Sequence, residues 1–245
     1  DSPIVNLDYL AAKDIKRWFS LSQKYYEIYN YPFTHQAWAK KLGLKLNNHI
    51  KVKNALSPEQ VYLNMSLLPN LLARAEENMR WLDEFKIYEL ERTFDKTSNG
   101  TYHTDNTRNK FLPKQNKYLT GVEISKKSKQ ELFLSIKGMF ESLMEHLNVE
   151  IAFEQSEIEY ASITYDIRYK DIKLGHFGLL NDGLFDSNDV KVNVAFWDLD
   201  FSLLLKYINK VKKYASLDKF PAVYRDMAVI VDKSLKWIDL ETEVA

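Results

Sequence analysis

Cysteine is absent from the 245 residues, which removes disulfides, thiol nucleophiles and cysteine-based zinc sites together. Net charge is absent as well. Lys and Arg number 34 against 34 Asp and Glu, so no global field draws in nucleic acid or acidic lipid, which argues against a stand-alone RNA-binding module. No apolar run approaches the ~20 residues that a membrane span requires. Glycine is scarce: the seven residues never form G-x-G, no Gly-Lys-Ser/Thr occurs, and a nucleotide-binding loop is thereby excluded. The start, Asp1-Ser2-Pro3, is polar and lacks a Met, so it is no signal peptide; the expectation is an excerpt of a longer, cytoplasmic protein with no membrane contact.

What is present supports a sizeable core. The apolar fraction is 45%, and the length suits one large domain, or one domain plus part of a second. Leu7, Leu10, Ala11, Ile15, Trp18 and Phe19 mark a first helix at helical spacing. Tyr25 to Phe33 is aromatic and strand-like, with Pro32 confined to an end or edge because it cannot donate to a ladder. Thr34 offers a cap for a short helix through Leu42, closed by Gly43. Ser57-Pro58-Glu59-Gln60 has the form of a capping box with proline at the first helical position. Ser66 offers a second cap, and Leu68, Leu71, Leu72, Ala75, Met79 and Leu82 then share one face, predicting a helix that ends near Asp83.

Phe85 to Phe94 reads as a strand, Asp95 to Asn116 as a polar excursion, and Tyr118 to Ile124 as the returning strand. The strongest amphipathic helix spans Leu132 to Leu147. The period then changes. Residues 163–169 alternate, turn near Lys170-Asp171 and return over Ile172 to Leu180, and Val190 to Phe196 alternate again. Asp200 can cap a helix from Phe201 to about Tyr214, and Ala222 to Val231 makes one more strand. This order predicts the α+β class, with a mostly antiparallel sheet flanked by helices.

Candidate chemistry is sparse. The five histidines lack the i, i+4 pairing of a zinc helix. His103 and Asp105 can approach a metal, but a solvated loop explains them. Asp198 and Asp200 in FWDLDF resemble a Mg²⁺ pair, yet a strand end followed by an N-cap accounts for both. Gly175-His176-Phe177-Gly178 suggests an active-site string, but glycines inside a strand more often mark a bulge or close backbone approach. The clusters Lys40-Lys41-Lys45 and Lys126-Lys127-Lys129 read as solubilising faces, since a phosphate footprint needs a concentrated patch.

Several stretches also carry a family resemblance. Val52 to Leu72, VKNALSPEQVYLNMSLLPNLL, followed by IYELERTF, is similar to the NPLS, RTSLLPGLL and FEIGRVF-like strand of the phenylalanine–tRNA ligase β-subunit family. Here Asn64-Met65 stands for Arg-Thr, and Asn70 and Glu91 stand for glycines. Tyr25 to Phe33, YYEIYNYPF, resembles that family's GFYEVYNYSF-like segment and, more broadly, the first class II synthetase motif, with Tyr26 and Pro32 at its aromatic and proline positions. Leu119 to Val122, Ile172 to Leu180, Val194 to Leu205 and FPAVYRDMAVIV from Phe220 continue the match in order. The last resembles the opening of a ferredoxin-like anticodon-binding module.

The resemblance implies a class II aminoacyl-tRNA synthetase-like core over residues 1–216 and the first strand region of that module over 217–245. It implies an enzyme only as part of an αβ ligase, with this chain alone inactive. The Arg-x-Glu of a strand-borne second class II motif is found only as Arg74-Ala75-Glu76 on a predicted helix, and the third motif, G-x-G-x-x-Arg, is absent. No catalytic, cofactor or metal residues are therefore assigned, while ATP and Mg²⁺ belong to the full complex. Implied partners are the catalytic α subunit and tRNA(Phe) in an α2β2 assembly. The α-subunit contact would use Trp18, Tyr26, Tyr29, Tyr31, Pro32 and Phe33, and RNA contact in an intact module would use Tyr224 and Arg225. Two alternatives remain: a free-standing RNA- or protein-binding relative, and an active enzyme using Asp198, Asp200 and His176.

Overall fold

The computed structural model describes residues 6–99, 113–185 and 192–208, with 223, 225–232, 235, 239–240 and 243 in the tail. Residues Asp1–Val211 and Lys212–Ala245 form separate compact units. The first contains helices α1 (Leu7–Ser22), α2 (Gln36–Lys41), α3 (Leu68–Asn78), α4 (Lys129–Leu147) and the single turn α5 (Phe201–Leu204). Its strands are β1 (Tyr26–Glu27), β2 (Phe85–Asn99), β3 (Pro113–Ser125), β4 (Ala152–Ser156), β5 (Ala161–Tyr169), β6 (Ile172–Leu180) and β7 (Asn193–Asp200). They join in one seven-stranded sheet, ordered β1-β2-β3-β7-β6-β5-β4. Only β1 and β2 run parallel; the other neighbours are antiparallel, as the α+β reading requires.

Alternation along the strands gives each face of the sheet its own core. On one face, Tyr88, Leu119, Phe177, Trp197 and Leu199 pack with Ile15 and Phe19 of α1 and Phe140 and Leu143 of α4. On the other, Ile87, Val122, Leu180 and Phe196 pack with Trp38 of α2 and Leu68, Leu71 and Leu72 of α3. Helix α4 begins at a full capping box, with Ser128 and Glu131 exchanging bonds, and ends at Asn148 in the left-handed conformation.

Gly175 and Gly178 sit where β6 passes closest to its neighbours. A Cβ on Gly175 would collide with the Asp198 carbonyl, and one on Gly178 with the Ile163 carbonyl. Close backbone approach is thus the reason for both glycines, and a register shift between Ile167 and Arg168 lies opposite Gly175.

Several local expectations are corrected. Ser57 caps no helix: Gln60 N donates to Ser57 O at 3.1 Å in a turn. The flanking residues instead pair, Val52 N to Val61 O at 2.8 Å and Leu63 N to Ile50 O at 3.0 Å. Those β-branched and aromatic residues gain more from a ladder than the capping signal offers. The cap of α2 is His35, whose Nδ1 accepts from Trp38 N at 3.4 Å; the Thr34 hydroxyl donates to the Leu63 carbonyl. Helix α3 stops at Asn78 and closes through a turn, with Leu82 N donating to Asn78 O at 3.0 Å.

The expected strand over Tyr25 to Phe33 shrinks to Tyr26–Glu27, followed only by a Phe33–Leu63 bridge. The polar excursion is narrower than predicted, because β2 and β3 stay in register to Asp95–Lys114 and meet again at Asn99–Pro113; residues 100–112 lie outside the described residues. Edge strand β4 was not anticipated. Helix α5 reaches only Leu204 before turning through Tyr207. In the second unit residues 225–232 form neither strand nor helix, against the expected strand, and Ala222 lies outside the described residues.

Candidate functional site

Two regions of the first unit carry the residues that the sequence singled out. The first is the segment between β1 and α2. Tyr26, Tyr29 and Tyr31 are 69, 71 and 77% exposed, and Pro32 is exposed beside them. Phe33 is half-buried at its bridge to Leu63. Trp18, by contrast, is 9% exposed and packs edge-on against Phe19, with ring centroids 5.1 Å apart; it belongs to the core beneath the segment.

Exposing several tyrosines together is unusual unless something covers them. Lys16 on α1 stands over the Tyr29 ring at 5.3 Å from its centroid and is paired with Glu27. A groove of about 320 Å³ opens beside the tyrosines, lined among others by Tyr29, Tyr31, Phe33, His35, Asn70 and Arg74. The tyrosines are therefore displayed on a shaped surface, not on a loose loop.

The second region lies on the α3 side of the sheet, past the end of the apolar cover. Register pairs place Glu89 beside Thr120, Thr120 beside Asp198, Asp198 beside His176, and His176 beside Asp166. The next row is Glu91, Tyr118 and Asp200. Five strands thus bring carboxylates from distant parts of the chain onto one face. Burial first, then the nearby Asp200 charge, pushes Asp198 up to about 6, against the hydrogen bond donated by Thr120. Burial pushes His176 down to about 4, helped by the Lys173 charge. Burial also raises Asp200, whose Oδ1 accepts from Leu203 N at 2.8 Å as the cap of α5.

The chemistry of this row is the opposite of a triphosphate cradle. It holds no arginine, its histidine is neutral at physiological pH, and Lys173 is already paired with Asp166 at 2.7 Å. Carboxylates gathered on one face at low dielectric repel an added polyanion. Arg74 and Glu76, the lone Arg-x-Glu, lie on α3 as expected: Arg74 pairs with Glu77 at 2.7 Å and Glu76 accepts from Trp38 Nε1 at 2.8 Å. Among the described residues no group of three or more His, Asp or Glu is arranged to hold a metal, and no helix is long and apolar enough to cross a membrane. His103, Asp105 and Tyr224 lie outside the described residues. Arg225 falls in the irregular stretch 225–232.

Sequence reasoning named His176, Asp198 and Asp200 together, and it missed Asp166, which only strand register brings beside His176. The polar residues that shape the tyrosine segment, Asn70 and Glu89, were missed for the same reason.

With this geometry in view, comparison with known proteins is specific. The family model described as phenylalanyl tRNA synthetase beta chain CLM domain matches residues 9–201. The phenylalanine–tRNA ligase beta subunit of Leptospira interrogans is 25% identical over 250 residues, covering 94% of this chain and 29% of that protein. That of Fusobacterium nucleatum is 28% identical over 228 residues, covering 89% and 28%. This chain thus spans less than a third of the length of these relatives. Among solved structures, a pyrrolysyl-tRNA synthetase from Desulfitobacterium hafniense aligns with a TM-score of 0.62 at 15% identity, over 85% of this chain and 75% of that one. A second structure, described as PylSc of the same organism, gives 0.59 at 18%, over 81% and 66%. At such identities the likeness is one of fold.

Proposed function

The chain belongs to the phenylalanyl-tRNA synthetase β-chain family, and from that premise we propose that it is the non-catalytic core through which a β subunit docks its catalytic α partner. In this reading residues 1–216 are the docking core and 217–245 begin an anticodon-binding module. The assembled α2β2 ligase, with ATP and Mg²⁺ at the α subunit, charges tRNA(Phe) in the cytoplasm.

The observation that carries the reading is the trio Tyr26, Tyr29 and Tyr31, exposed on a bonded segment beside α1. Tyrosine offers large, rigid, amphipathic contact area and is enriched where interface energy concentrates. Burying three such rings against a partner would supply a hydrophobic centre flanked by Lys16 and Glu27. The carboxylate row supports the second half of the claim, because nothing in it neutralises the charge that develops in adenylate formation.

Phenylalanine-dependent ATP–pyrophosphate exchange tests the reading. The purified chain should give none, and exchange should appear only when a catalytic α chain is supplied. Turnover by the chain alone that survives stringent purification and is lost in Asp200→Ala would replace this reading with an enzyme centred on Asp198, Asp200 and His176.

A further inference from the structure

Between β1 and α2 the backbone has almost no regular structure, yet it is held at nearly every step. Ile28 N donates to Tyr88 O at 2.9 Å, Asn64 N to Pro32 O at 3.1 Å, and Thr34 N to Tyr62 O at 2.8 Å. The remaining bonds go to two side chains. Glu89, on β2, accepts from Asn30 N at 2.6 Å and from Asn30 Nδ2 at 2.9 Å. Asn70, in the first turn of α3, accepts from His35 N at 2.7 Å and donates to Phe33 O at 2.9 Å and Tyr31 O at 3.4 Å.

These two side chains are 1 and 5% exposed. A buried carboxylate and a buried amide are costly unless their hydrogen bonds are made, and here those bonds converge on the residues that flank the exposed tyrosines. Glu89 is 1% exposed and Asn70, at the floor of the groove, 5%, so both offer a partner little contact area. Their bonds fix the path of residues 30–35, and with it the spacing of Tyr29 and Tyr31.

We infer that Asn70 and Glu89 are positioning residues for docking: they hold the Tyr29–Phe33 segment in the shape the partner binds, before it binds. The inference rests on the reading that this segment docks the α chain. A segment released from its clamp samples many shapes, and apparent affinity falls by the fraction still competent. Loss of a positioning residue therefore slows association and leaves dissociation alone. Loss of a contact residue raises the dissociation rate, as interface substitutions generally do.

The variants are nearly isosteric. Asn70→Asp keeps an acceptor for His35 N but places an oxygen against the Phe33 carbonyl. Glu89→Gln keeps one acceptor for Asn30 and turns an NH₂ toward the other donor. Asn30→Ala, at a half-buried position, removes one Glu89 bond and serves if the buried variants do not fold. The full chain is mixed with the catalytic α chain of the same enzyme, and amide exchange is read at Asn30 and His35 in the free protein.

The expected result is exchange at those amides accelerated about tenfold and association slowed about tenfold, with dissociation unchanged within about twofold. Tyr31→Ala should do the reverse: faster dissociation and unaltered exchange. Unchanged exchange and association in Asn70→Asp, Glu89→Gln and Asn30→Ala would overturn the inference. Faster exchange in the variants, with no binding of α by the wild-type chain, would instead defeat the docking reading and this inference with it.

Discussion

His176 and Asp198 face each other across β6 and β7 with their proton affinities displaced in opposite directions, to about 4 and about 6. Burial is the main cause for both, since it disfavours whichever form is charged. The pair is neutral where free residues would both be ionised, near pH 5, and this sets how the fold responds to pH.

Asp198 is raised above its ordinary carboxylate value, so the fold pays for its ionisation. That cost is complete above pH 6 and fades as the pH falls toward 4. Asp198→Asn retains the acceptor for Thr120 and should stabilise the chain by about 1–2 kcal/mol at pH 7.5, with the gain vanishing near pH 4. Urea unfolding at a series of pH values checks the sign; a loss of stability at pH 7.5 would be contrary to it.

His176 is lowered, so its contribution is complete above pH 6.5 and is lost as the pH falls through 6.5 toward 4. The variant His176→Phe should flatten this acid limb in the same titration. An unchanged slope between pH 6.5 and 4 would show that the imidazole is not held neutral.

Trp18 and Tyr31 should separate cleanly. Trp18→Ala removes a ring from the core and should cost about 3–5 kcal/mol. Tyr31→Asp, at an exposed site, should leave the melting temperature within about 2 °C, in keeping with the small cost of surface substitutions, while abolishing α-chain binding. A large loss of stability in Tyr31→Asp would assign that ring to the fold.

Much of this fold was legible because local signals agreed. The i, i+3, i+4 pattern of Leu132 to Leu147, the alternation of 163–169, the turn at Lys170-Asp171 and the cap at Asp200 each specify one structure. The failures have a common cause in long-range polar bonding. YYEIYNYPF has strand propensity, but Glu89 and Asn70, far away in sequence, take the bonds a ladder would use and leave a two-residue strand. Ser57-Pro58 has helix-start chemistry, but Val61, Tyr62 and Leu63 pair with residues 50–52 and pull it into a turn. Of the Tyr26–Phe33 segment, the aromatic residues were readable and the side chains that hold it were not. Of the carboxylate row, Asp198 and Asp200 were readable beside His176, while Glu89 and Asp166 were not, because register alone adds them.

Gly178 offers a test of the sheet itself. Its missing Cβ makes room for the Ile163 carbonyl, so Gly178→Ala should destabilise by about 1–3 kcal/mol through strand displacement. Thermal unfolding reads this directly, and an unaltered melting temperature would mean that the strands tolerate more space than the close approach indicates.

The tail should not by itself select tRNA. Residues 225–232 form no ladder, the chain carries no net charge, and phosphate affinity needs concentrated cations. Binding of tRNA(Phe) should equal that of unrelated tRNA across a salt titration. Specific binding that disappears on deletion of residues after Lys219 would show that Tyr224 and Arg225 act without a further module.

The most direct test of the account is light scattering after size exclusion of this chain mixed with a catalytic phenylalanine–tRNA ligase α chain. One species containing both chains is expected, lost in Tyr31→Asp although that variant elutes as a folded protein on its own. Two separate peaks from the wild-type mixture, at concentrations where each chain alone is folded, would contradict it.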